Sequence, residues 1–100
     1  APHDLETWMS RGVVLQALAR RPEALLSYGR AVSLAEADPG TLSREILPDA
    51  LSSRASLLLE LGNRAQARAD LKRALSLSAE DWPQRSAARA RLEALRGGKP

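Results

Sequence analysis

The feature that most constrains this chain is its match to itself at a shift of 43 residues. The shift lays residues 5–35 on residues 48–78 with ten identities. Ser10-Arg11 falls on Ser53-Arg54, Leu15 on Leu58, Leu18 on Leu61, and Ala24 on Ala67. Arg30-Ala31 falls on Arg73-Ala74, and Ser33-Leu34 on Ser76-Leu77. Self-similarity at this period marks one supersecondary unit used twice, each copy covering part of the other's apolar face. The unit reads as helical. Ala, Leu, Arg, Ser and Glu dominate the composition, and Ala, Leu, Arg and Glu are strong helix formers. The aromatic and β-branched residues that favour strands are scarce, and Phe is absent. With 100 residues, the whole chain, 1–100, is expected to be one all-α domain.

Helix punctuation divides it into about five helices. Asp4 is placed to cap a first helix running to about Ala19, and Pro22 suits the first turn of a second. Asp38-Pro39-Gly40 breaks the second after Ala37. A third helix ends at Leu61, where Gly62 suits the left-handed residue that follows a helix. Its start is open: Thr41 caps two early turns that bend at Pro48, or Pro48 opens the helix. Asn63 is placed to cap a fourth helix, and Asp81 a fifth, over about 82–96, with Gln84 as its capping-box partner. Short connections imply antiparallel neighbours. Gly12 lies inside a helix at a cost of about 1 kcal/mol relative to Ala, so a neighbouring helix is expected to approach closely there. Ala24 and Ala31, and likewise Ala67 and Ala74, lie seven apart on one helix face, where small residues permit tight packing.

These residues resemble the tetratricopeptide repeat. Trp8, Gly12 and Leu15 match the family's first helix, and Ala24, Tyr28 and Ala31 its second. Leu51, Ala55, Leu58, Ala67, Leu71 and Ala74 match in the second copy. The resemblance covers about 5–37 and 48–79, with an inserted connection at about 38–47 and a capping helix after it. It departs from the family in its longer spacing, in Arg11 and Arg54 at a place where leucine is commoner, and in the shift of the usual proline to Pro39. The resemblance implies a right-handed α-solenoid of antiparallel hairpins whose first helices line a concave, protein-binding groove. Its groove-facing places are Glu6, Met9, Ser10, Val13 and Gln16 in the first repeat. In the second they are Asp49, Ser52, Ser53, Ser56, Leu59 and Glu60. Met9, Val13 and Leu59 are expected to form an apolar floor, with the serines and Gln16 free to bond a peptide backbone. One subgroup of the family grips chaperone C-terminal carboxylates through lysines and asparagines; Met9, Val13 and Ser53 stand at those places, so no such clamp is expected.

Catalytic chemistry has little to stand on. His3 is the only histidine and there is no cysteine, which leaves no disulfide framework and no ligand set for zinc. Gly97-Gly98 follows a helix instead of preceding one, unlike a phosphate loop. Ser52, Ser53 and Ser56 have no histidine base nearby in sequence and read as an exposed helix face. The chain is therefore expected to be no enzyme and to need no metal or cofactor. No apolar run approaches the roughly 20 residues of a membrane span, and no signal-peptide pattern opens the chain. The compartment is left open, the cytoplasm being favoured.

Charge offers an alternative to the groove. Residues 61–100 carry nine basic and four acidic side chains, against six and eight in residues 1–60. Arg64, Arg68 and Lys72 share a face of the fourth helix, and Arg85, Arg89 and Arg96 a face of the fifth. Such faces contact phosphates without reading sequence. No aromatics interleave for base stacking, and Asp70, Glu80, Asp81 and Glu93 dilute the field, so nucleic acid is disfavoured. The expected function is binding of a protein or peptide partner in the groove. The alternatives are a structural or homo-oligomerising unit that stacks on further repeats, or an accessory domain with a basic face for acidic partners.

Overall fold

A computed structural model describes residues 4–38 and 40–97. His3 therefore lies outside the described residues. Five helices form in order: α1 Leu5–Ala17, α2 Arg21–Ala37, α3 Thr41–Glu60, α4 Arg64–Leu77 and α5 Arg85–Gly97. There is no strand among the described residues. Nor is any helix there long and apolar enough to cross a membrane.

Local chemistry accounts for most boundaries. The Asp4 carboxylate accepts the Glu6 N–H and the Thr7 hydroxyl, both at 3.0 Å, and so caps α1. The Thr7 hydroxyl, followed by the Glu6 N–H, holds that carboxyl below its ordinary range. Pro22 occupies the first turn of α2, where a missing N–H costs nothing. Asn63 Oδ1 accepts the Gln66 N–H at 3.2 Å and caps α4.

The turns α1–α2 and α3–α4 are the same structure 43 residues apart. In each, two backbone bonds close the helix end: Ala19 N–H to Gln16 and Arg20 N–H to Leu15, matched by Gly62 N–H to Leu59 and Asn63 N–H to Leu58. This double closure requires a left-handed residue. Gly62 takes φ 82° without penalty, but Ala19 is forced to φ 61°. α1 therefore stops at Ala17, short of the expected Ala19. Ala19→Gly should raise stability by about 1 kcal/mol, the approximate cost of a left-handed side-chain-bearing residue. A chemical-denaturation midpoint at or below that of the parent chain would contradict the assignment.

The inserted segment is not a loop. Residues 41–47 form two helical turns that run straight into the second repeat, with Pro48 inside α3. Gly40, not Thr41, occupies the N-cap position of α3. The fifth helix differs from expectation more sharply. Asp81 does not cap it; residues 79–84 make turns, and α5 starts at Arg85. The cause is Trp82, drawn into the core with its indole N–H donating to Asp49 Oδ1 at 2.8 Å.

Each helix packs mainly on its neighbours in sequence, and α1 meets α3 more lightly. The result is a slab 43 × 32 × 19 Å, about two helix diameters thick. Ala24, Ala31, Ala67 and Ala74 are fully buried, as the repeat requires, while Tyr28, Leu51, Leu57 and Leu71 fill the space between helices. A methyl group on Gly12 would lie 2.5 Å from the buried Tyr28 ring, so the glycine admits that ring. α5 closes the far side with Ala88, Leu92 and Leu95 against the same core.

Candidate functional site

A cavity of about 450 Å³ opens between α1, α3 and the start of α5. It is lined by Met9, Val13, Gln16, Asp49, Ser52, Ser53 and Ser56, all expected groove residues, together with Tyr28, Gln84 and Arg91. Glu6, Ser10, Leu59 and Glu60 do not line it.

The lining is more polar than expected. Leu59 packs against the core instead of flooring the groove. Met9 is half-buried on both core clusters, and Val13 alone of the three stands exposed. Ser52, expected on an exposed face, is 7% exposed, because α3 is covered along much of its length. Ser53 and Ser56 are half-buried and present hydroxyls at the cavity wall.

A hydrogen-bond chain anchors one side. The Tyr28 hydroxyl donates to Gln16 Oε1 at 2.7 Å, and Gln16 Nε2 donates to Glu60 Oε2 at 2.7 Å. Arg21 Nε donates to the other Glu60 oxygen at 3.0 Å. Gln16 and then Arg21 lower the Glu60 pKa. Burial, and secondarily the Glu60 charge, raise that of Tyr28. The chain fixes the Gln16 amide, so a groove residue from α1 is held by both α2 and α3. Arg91 adds to the lining a cation that makes no ion pair among the described residues.

Tyr28, Gln84 and Arg91 escaped the sequence reading for distinct reasons. Tyr28 matches a packing position of the repeat, which it also fills. Gln84 stands in a capping-box pattern that does not form, because α5 starts at Arg85. Arg91 lies off the expected basic stripe, and nothing local signals that the capping helix reaches α1 across more than 70 residues.

Family models, curated proteins and solved structures yield no match to this chain.

The basic face is broken up by the fold. Arg85 turns inward, and its guanidinium donates to the carbonyls of Leu75 at 3.2 Å and Ser78 at 3.1 Å. It satisfies the C-terminal end of α4, where a cation is favoured. Arg96 approaches Glu93 at 3.6 Å. Arg64, Arg68, Lys72 and Arg89 remain exposed. Among the described residues no group of three or more acidic, His or Cys side chains is arranged to hold a metal. A larger hollow of about 660 Å³ lies along α2, lined by Pro22, Leu25, Leu26, Gly29, Arg30, Ser33 and Arg54; it contains none of the expected groove residues.

Proposed function

We propose that the chain is a tetratricopeptide-like interaction module, a short right-handed solenoid of two hairpins and a cap, that binds a segment of a partner protein in the α1–α3–α5 groove. The observation that carries this reading is the convergence on one open cavity of seven residues from two repeats, 43 positions apart in register. Ser53, Ser56, Gln16 and Gln84 offer donors and acceptors suited to an extended backbone. Arg91 suits an acidic or carbonyl group on the same segment. The arrangement favours polar recognition over the apolar floor expected from sequence.

The test is recovery of partners by pull-down with the parent chain, followed by two pairs of variants. Val13→Glu and Ser53→Arg obstruct the groove; Arg68→Glu and Arg89→Glu alter the exposed basic face. With folding checked by circular dichroism, the groove pair should lose the partner at low and moderate salt while the arginine pair retains it. Loss only in the arginine pair, with release by salt alone, is the behaviour of a polyanion site and would overturn the reading.

A further inference from the structure

The repeat relates two surfaces of very different exposure. In the seam between the hairpins, α2 lies on α3, and Leu57 is buried against Ala24 and Tyr28. Glu36 of α2 reaches across and ion-pairs with Arg73 of α4. Its charge also acts, after Asp70, on Arg54, whose pKa is raised. The receiving half of this seam is thus Arg54, Leu57 and Arg73.

A shift of 43 residues turns that set into Arg11, Val14 and Arg30. These lie on the outer edge of the first hairpin, where none of the described helices covers them. Val14 is 56% exposed where Leu57 is 0%; Leu18, one turn on, is 60% exposed, and its counterpart Leu61 is exposed as well at 43%. Leu26, at 59%, extends the apolar strip. Arg11 and Arg30 stand 5.1 and 5.6 Å from the Trp8 ring centre, which holds both guanidiniums at the edge. Neither makes an ion pair among the described residues. One part of the seam is not repeated: Glu60, which receives Arg21, corresponds to Ala17. The edge therefore receives a carboxylate but offers none in return at that place.

We infer that this edge docks an amphipathic helix from a partner, with small and apolar residues on one face and a carboxylate placed as Glu36 is on α2, for Arg11 and Arg30. The site is distinct from the groove. A second copy of the chain is a poor occupant. Its own α2 face is already used on α3, its α5 presents exposed Arg89 and Arg91, and edge-to-edge pairing sets Arg11 and Arg30 against their own copies.

The probe is a peptide copying α2, Arg21–Ala37, stapled between positions 26 and 30 on the exposed face, its helicity checked by circular dichroism. Titrated into the isotopically labelled chain, it should bind saturably and shift the amides of Val14 and Leu18. A Glu36→Lys probe should bind about tenfold or more weakly, the low end for coupling between close charge pairs. The Arg11→Glu/Arg30→Glu variant should lose the parent probe and regain affinity for the Glu36→Lys probe. Absence of saturable binding, or equal affinity across the charge variants, would overturn the inference. So would shifts at Leu57, which signal displacement of the chain's own α2, or at Ser53, which signal the groove. Self-association abolished by Val14→Glu would identify a second copy as the occupant and likewise overturn it.

Discussion

Trp82→Ala should lower stability by about 3–5 kcal/mol, the range for truncating a buried large aromatic residue. The indole is 9% exposed, lies in the main core cluster and donates to Asp49. It is also the pin that attaches the capping segment to α3. Its loss should therefore be felt beyond the core, because Gln84, just before α5, and Arg91 within it form one wall of the groove. Hydrogen exchange should show α5 losing protection before α1–α4. Trp82→Phe keeps an aromatic ring in the core but loses the bond to Asp49 and part of the bulk, so it should cost less, about 1–2 kcal/mol. Equal denaturation midpoints for the alanine and phenylalanine variants would show that Trp82 acts through its hydrogen bond and not through packing.

Arg54→Ala should cost about 3 kcal/mol, the low end for breaking a buried ion pair, since Arg54 keeps some solvent access. Arg54 Nε and Nη2 donate to the two Asp70 oxygens at 2.8 and 3.0 Å, a fork-to-carboxylate pairing between α3 and α4. The two side chains are 21% and 7% exposed. Removing the arginine leaves the less exposed carboxylate without its counter-charge, which is the costly half of the change. Arg54→Ala/Asp70→Ala should therefore be more stable than Arg54→Ala alone, a coupling that a double-mutant cycle in denaturant measures directly. Additive losses in the cycle would show that the pair contributes little. The first hairpin solves the same position differently. There Ser27 replaces Asp70, and Arg11 stacks on Trp8.

This divergence within one repeat shows where sequence reasoning stops. Arg11 and Arg54 are identical under the 43-residue shift, yet one is paired in the interior and the other faces outward. What differs is the neighbour: α2 covers α3, while nothing described covers α1 on that side. Periodicity identifies a face of a helix but not the element that packs against it. The expected groove illustrates the same limit. Met9, Val13, Gln16, Asp49, Ser52, Ser53 and Ser56 do converge, on the cavity between α1 and α3. Leu59 and Ser52 face more inward than expected, because α3 is wrapped by α2 and α4.

The sequence by itself determined the helical class, the number of helices and most of their ends. Caps at Asp4 and Asn63, the proline of α2 and the left-handed Gly62 act through hydrogen bonds within a few residues, so they are legible locally. The buried alanines and a close approach at Gly12 were legible too, since a small residue in a helix interior has few other reasons to stand there; that Tyr28 makes the approach was not. Only the tertiary structure decided the start of α5, the polar character of the groove and its third wall. Trp82 delays α5 by binding Asp49, 33 residues away, and Arg91 reaches the cavity from still further along the chain. Free energy of burial and long-range hydrogen bonding set those features, and neither leaves a mark in the spacing of neighbouring residues.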